Sequence, residues 1–329
     1  MNAPSITAMD RDLLRESGWA ALPADYRIPS VAPTLEEARA WCKHLAETHY
    51  ENFHVASWFL PKRLQPHFHA VYAYCRVSDD LGDEIGDRAQ SLALLEQWGE
   101  ELDACFRGQA RHPVFVALAE TIRVCQIPKE PFADLLVAFR QDQVVSRYHN
   151  RDEVLDYCRF SANPVGRLVL YTCGYSDPER FCLSDATCSA LQLANFWQDV
   201  GPDYRDRDRI YIPQDAMDRF GVTESTIADG IASGHSSAEF RALLADQVAW
   251  ARTLFAEGLP LLDLVDADLA LDLDLFSRGG LEILRAIEKC DYDVLAARPS
   301  ISKATKVSLA FRAVTGKLLP GLRLKSRRP

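Results

Sequence analysis

Helical periodicity governs what this chain can fold into. From Thr34 to about residue 317, apolar side chains recur at three- and four-residue spacing. Strand-like alternation is confined to two short runs, VLAARPS and RIYIP. A chain that gathers its apolar residues into helix stripes buries them by packing helix on helix, so an all-α, single-domain bundle is expected. Helices are expected at roughly 35–50, 62–84, 90–106, 113–125, 131–146, 151–173, 184–201, 237–256, 260–272, 277–296 and 302–317. The first opens on a capping box, TLEE, in which Glu37 follows Thr34 by three residues. Pro61, Pro131 and Pro260 fall at expected starts, where a missing N–H does no harm. Residues 1–33 carry four prolines and little periodicity and read as an arm on the surface. Residues 34–318 form the helical domain, and 319–329 complete a basic-apolar tail, KLLPGLRLKSRRP.

Composition narrows the partners. Lys and Arg number 37 against 47 Asp and Glu, a formal charge of -10, which argues against nucleic acid. An anionic ligand would need local cations or metal. The nine cysteines form no CxxC pair or zinc-finger spacing, the usage of a reduced cytoplasmic protein with core thiols. The stretch MNAPSITAMDRDLLRESG has no apolar core behind cations, and no window nears the ~18 apolar residues of a membrane span. A cytoplasmic protein is expected, and two readings of the basic tail stay open: a frayed terminus, or a weak peripheral contact with anionic lipid.

Chemistry is concentrated in two acidic rows. In YAYCRVSDDLGDE, the stripe through Phe68, Val71, Tyr72 and Cys75 continues into Asp79, Asp83 and Asp87. Like charges one helical turn apart repel, and buried carboxylates without partners are costly, so these should meet a cation or line a wet cavity. In LQLANFWQDVGPDYRDRDRIYIP, Asn195, Asp199 and Asp203 recur at four-residue spacing behind Leu191. Two helices presenting oxygen rows suit a hard divalent cation such as Mg²⁺, with diphosphate oxygens completing its shell. A diphosphate neutralised in this way departs readily and leaves a carbocation, which aromatic faces stabilise. Phe53, Tyr72, Tyr157, Phe160 and Tyr292 are the aromatic candidates, each also compatible with a plain core role. Pro202 falls inside the second row and cannot donate to the Gln198 carbonyl, so a kink or helix end is expected there.

These residues resemble the squalene/phytoene synthase family. YAYCRVSDDLGDE is similar to its first signature and Leu191–Pro213 to its second. VLDYCRFSANPVGRLVL and FSRGGLEILRAIEKCDYDVLAARPSISKATK resemble its middle and closing helices. The resemblance implies the type I isoprenoid synthase fold, a helical bundle around a central apolar pocket. It implies a Mg²⁺ cluster held by Asp79, Asp83, Asn195, Asp199 and Asp203, with Asp80 on the same rim. It further implies diphosphate contacts from Arg76 and Arg209, with Tyr72 one turn before Arg76. Tyr157 falls near the reacting centre, and Phe53 and Tyr292 at pocket positions. The segment to Arg209 is one residue longer than the common family spacing.

Three strings point to one branch: Gln198 where the family commonly has Arg, SANPVG in the middle helix, and HYENFHVAS near residue 50. They resemble bacterial hydroxysqualene synthases, which ionise presqualene diphosphate, rearrange the cation and quench it with water. Asn163 and Gln198 are neutral hydrogen-bonding candidates for holding that water. The partners implied are enzymes that make presqualene diphosphate and reduce hydroxysqualene. Three other readings stay open. The first keeps the fold but condenses two prenyl diphosphates to presqualene diphosphate or phytoene. The second is a di-iron protein, for which Glu51 and His54 supply one Glu-x-x-His where two are needed. The third is a non-catalytic assembly protein. No strand–GxGxxG–helix unit for a reducing nucleotide is visible.

Overall fold

The computed structural model describes residues 8–48 and 61–301, and the secondary structure among them is helical, with a single isolated bridge between Arg147 and Ile210. The chain divides into two compact units, described here over 8–48, 61–145 and 167–176 for the first and 146–166 and 177–301 for the second.

The first unit holds helices Ala8–Ala20 (α1), Leu35–Thr48 (α2), Gln65–Asp83 (α3), Arg88–Phe106 (α4), Pro113–Cys125 (α5) and Glu130–Gln141 (α6). The capping box forms at α2: the Thr34 backbone N–H and hydroxyl both donate to Glu37, and the Glu37 N–H returns to the Thr34 hydroxyl. Helix α3 is pinned at its centre. The Tyr74 hydroxyl donates to the Phe132 carbonyl at 2.7 Å, and its ring meets Phe115 and Phe132 edge-on. The Trp98 indole N–H donates to Ser78 Oγ at 3.0 Å. Two buried polar contacts and three aromatic neighbours leave α3 one rotation about its axis, and that rotation aims its acidic row.

The expected arm over 1–33 contains a helix. On α1, Arg11 and Arg15 pair with Glu96 and Glu100 of α4, the Trp19 indole N–H donates to Gln97 at 2.9 Å, and Trp19 is buried. Its apolar face is narrow, so periodicity alone did not reveal it; docking on α4 completes it.

The second unit holds Arg151–Ser161 (α7), residues 163–166 of Asn163–Thr172 (α8), Pro178–Gln198 (α9), Val200–Arg207 (α10), Gln214–Phe220 (α11), Glu224–Ser233 (α12), Ala238–Gly258 (α13), Leu261–Leu264 (α14) and Ala267–Lys289 (α15). Here the expected boundaries needed correction. The 151–173 helix is divided at Ala162, 184–201 begins at Pro178 and breaks at Asp199, and the expected gap at 272–277 is continuous helix in α15. Helices α11 and α12 escaped notice because each is short. The expected helix at 302–317 and the basic tail lie outside the described residues.

Helix α9 packs on α13 and α15, and one close approach demands a missing side chain. A Cβ on Gly258 would stand 2.0 Å from Thr187 Oγ1 and 2.9 Å from the Leu183 carbonyl. The hydroxyl could turn away, but the carbonyl belongs to the α9 backbone and cannot. Gly258→Ala is therefore expected to destabilise the protein by about 2–3 kcal/mol in urea unfolding, with only partial relief from an added Thr187→Ala. Equal stability of Gly258→Ala and wild type would refute this account of the packing.

The cysteines are all free. Burial pushes the Cys42 and Cys158 thiols up to about 12, which makes them inert packing groups. Among the described residues, no helix is long and apolar enough to cross a membrane.

Candidate active site

In the first unit, the acidic row lies on the shoulder of the buried face of α3, not at its centre. The buried positions include Phe68, Val71, Tyr74, Val77, Ser78 and Leu81, whereas Tyr72, Cys75, Arg76, Asp79 and Asp83 are half-buried. The expected stripe was thus about one position off, since a fixed three-and-four count drifts around a helix of 3.6 residues per turn. Asp87 does not continue the row. Helix α3 ends at Asp83, and Asp87 caps α4 by accepting from the Gln90 N–H at 2.8 Å.

Arg76 pairs with Asp79 at 3.6 Å and with Asp80. Asp80, placed with the metal row by resemblance, is buried. One of its oxygens faces Arg76, and the other accepts from the Tyr26 hydroxyl at 2.9 Å. Burial, then the Asp80 charge, raises the Tyr26 pKa well above the ordinary range, so Tyr26 stays a donor. Burial works against the Arg76 charge, but Asp80 and Asp79 outweigh it. Tyr26 gave no signal in the sequence, because its partner lies 54 residues on.

In the second unit, Asn195 is exposed near the end of α9, and Asp199 sits at the junction with α10. The interruption anticipated from Pro202 occurs three residues earlier, at Asp199. Pro202 then occupies the first turn of α10, where its missing N–H costs nothing, and its ring never meets the Gln198 carbonyl in a continuous helix. Helical spacing survives the break: the Asp203 N–H donates to the Asp199 carbonyl at 2.8 Å. Both carboxylates are drawn inward and face arginines. Asp199 binds Arg298, and Asp203 lies 3.6 Å from Arg207. Asp208 adopts a left-handed conformation just beyond α10, and the Arg209 N–H donates to the Asp203 carbonyl at 3.0 Å.

Between the row members, Phe196 points into an aromatic cluster. Its ring stacks on Tyr211 with centroids 3.6 Å apart and planes within 5°. Tyr157 and Tyr148 each lie 5.7 Å from Tyr211 and 5.6 Å from one another. Of these, sequence reasoning singled out Tyr157 alone. Phe196 and Tyr211 lay unread inside the second motif, and Tyr148 had no signal.

Gln198 is buried, and both ends of its carboxamide are engaged. Nε2 donates to the Pro299 carbonyl at 2.6 Å, and Oε1 accepts from Arg298 at 3.3 Å. Asn163 is also buried and accepts from Ser189 Oγ at 2.9 Å. Tyr292 lies in the turn after α15 with φ +58, its N–H bonded to the Ile287 carbonyl. Phe53, Glu51 and His54 lie outside the described residues.

Among the described residues, no group of three or more His, Cys, Asp or Glu side chains is gathered closely enough to hold an ion by itself. The donor chemistry nevertheless fits Mg²⁺. One amide and two inward carboxylates, each of the latter held against a guanidinium, form an all-oxygen set already compensated by positive charge.

The all-helical architecture is that of isoprenoid synthases. The squalene/phytoene synthase model matches residues 46–305, and the chain belongs to that family. A hydroxysqualene synthase of Zymomonas mobilis subsp. mobilis is 33% identical over 273 residues, 82% of this chain and 88% of that protein. A chloroplastic phytoene synthase of Cucumis melo is 28% identical over 95% of this chain and 75% of its own. Among solved structures, squalene synthase HpnC from Alicyclobacillus acidocaldarius is 42% identical with a TM-score of 0.73, covering 84% of this chain and 99% of that one. The family acts on prenyl diphosphates, and its members are in general dependent on divalent metal.

Proposed function

We propose that this chain converts presqualene diphosphate and water to hydroxysqualene and diphosphate. The observation that carries the reading is the double use of one helix end. Asn195 and Asp199 offer oxygen ligands, while Phe196 between them joins Tyr157, Tyr148 and Tyr211 in an aromatic cluster. A diphosphate grip thus sits within one turn of ring faces suited to a carbocation. The 33% identical hydroxysqualene synthase and the Gln198 and SANPVG strings support the branch.

Asp79, Asp83, Asn195, Asp199 and Asp203 would hold Mg²⁺, which when bound supplies the charge that makes diphosphate a good leaving group. Arg76 and Arg209 bind diphosphate oxygens directly, with Asp80 and Tyr26 fixing the reach of Arg76. The C–O bond breaks, its electron pair leaves with diphosphate, and the cyclopropylcarbinyl cation rearranges. Tyr157 and its neighbours present ring faces to that cation, and Tyr72 and Tyr292 are further aromatic candidates for excluding stray water. Asn163 holds the water whose oxygen closes the reaction. That water loses its proton to solvent or to the departing diphosphate.

Incubating the purified protein with presqualene diphosphate and Mg²⁺, then extracting the lipids, is expected to yield hydroxysqualene, and EDTA should abolish it. The phytoene synthase relative keeps a second reading in view, head-to-head condensation. Formation of presqualene diphosphate from farnesyl diphosphate, or of phytoene from geranylgeranyl diphosphate, would establish condensation instead.

A further inference from the structure

The segment that follows α15 is fastened across the junction of α9 and α10. At its root, Arg241 binds Asp291 and Asp293, the Ser236 N–H donates to Asp293 at 2.7 Å, and Val294 and Leu295 are buried. At its far end, the Pro299 carbonyl accepts from Gln198, and the Arg298 guanidinium reaches Gln198 Oε1 and Asp199. The second contact to Asp199, from Nη2 to Oδ2, spans 2.8 Å.

Two features of this arrangement go together. A carboxylate as enclosed as Asp199, whose side chain is 13% exposed, requires a counter-charge, and Arg298 supplies it from a side chain that is 53% exposed. The amide at position 198 serves both bonds, since it donates to the Pro299 carbonyl at one end and accepts from Arg298 at the other. An arginine there would be a donor only. It could hold Pro299 but would repel Arg298. The glutamine is thus matched to the arginine 100 residues later.

We propose that Arg298 is an internal counter-ion of the second acidic row, set in place by Gln198 as a positioning residue. A divalent cation binding at Asp199 exchanges with this guanidinium and loosens the 296–301 segment. The inference rests on the reading of Asp199 as a metal ligand. The exchange forms and breaks ionic contacts alone, and no covalent bond changes.

The test uses Mn²⁺ alone as probe, titrated into the full chain and followed by the electron paramagnetic resonance of the free ion. Arg298→Gln is expected to bind Mn²⁺ at least about fivefold more tightly than wild type. Gln198→Leu, which leaves the net charge unchanged, should shift affinity in the same direction by a smaller factor. That separates positioning from a general charge effect. In an Asp199→Asn background, Arg298→Gln should have no effect on affinity. Hydrogen exchange supplies a readout on the unaltered protein: amides within 296–301 should exchange faster when Mn²⁺ is added. In Arg298→Gln they should already be fast and insensitive to the ion. Unchanged or weaker Mn²⁺ binding in Arg298→Gln, with wild type binding normally, overturns the exchange and leaves the metal reading intact. Absence of Mn²⁺ binding in every form overturns both. If Gln198→Leu does not fold, the wild-type exchange data and Arg298→Gln decide the matter.

Discussion

Asp199→Asn is expected to lower diphosphate release from presqualene diphosphate by about 100-fold or more, and Asp83→Asn by a similar factor. Asparagine keeps the shape and one oxygen of each side chain but removes the charge that binds a divalent ion. Altering even an outer partner of a metal site costs roughly 10–100-fold, so loss of a direct carboxylate ligand should lie at or beyond that range. The two residues come from different helices, α3 and the α9–α10 junction, so parallel losses would tie both rows to one function. Asp206→Asn, an exposed change on α10 off the row, serves as the control and should alter the rate less than twofold. Circular dichroism should show each variant folded. A loss below tenfold for Asp199→Asn, with full folding, would remove it from the ion-holding set.

The second large effect concerns acid stability and arises at His112, in the first unit. Its ring is buried against Trp41 at 5.3 Å and Trp98 at 4.8 Å, and its Nδ1 accepts the Val114 N–H at the start of α5. Burial pulls its pKa down from 6.5 to about 3. Between those values the unfolded chain binds a proton that the folded chain refuses. Folding stability therefore falls as pH drops below 6.5, by about 1.4 kcal/mol per pH unit, until the folded pKa is reached. Between pH 7 and pH 5 this amounts to roughly 2 kcal/mol, and by pH 3 to about 4 kcal/mol. Carboxylates held low by hydrogen bonds, such as Asp293, add their acid loss only below the ordinary carboxylate range. Burial also lowers the His67 pKa, which contributes with the same sign. The contribution of His112 is the difference between wild type and His112→Asn, which retains a capping oxygen without the titration. Urea unfolding at pH 7 and pH 5 should show the variant losing markedly less stability than wild type. Identical losses would show that His112 takes up its proton equally in the folded and unfolded states, and would overturn this account.

How much of this was legible beforehand depended on distance along the chain. The acid rows, the α2 capping box and the all-helical class are local patterns, each complete within about a turn or two of helix. The four-residue spacing of Asn195, Asp199 and Asp203 could be read in the same way, as could the disruption due to Pro202. Its place was less legible, since the backbone yielded at Asp199 and absorbed the proline into a new first turn. The aromatic cluster was half-visible: Tyr157 and Tyr211 lie 54 residues apart, and nothing local couples them.

Sequence alone determined the helix periods, the oxygen-rich motifs and the family, because each is written in side chains that are neighbours on one helix or in one contiguous signature. Tertiary structure decided which of those side chains already have partners. Asp80 turned out to be held between Tyr26 and Arg76, α1 found its buried face only on α4, and Gln198 was committed to residues 298 and 299. The physical reason is that a buried polar group must be satisfied by whatever the fold brings beside it, and a partner tens of residues away leaves no trace in local spacing.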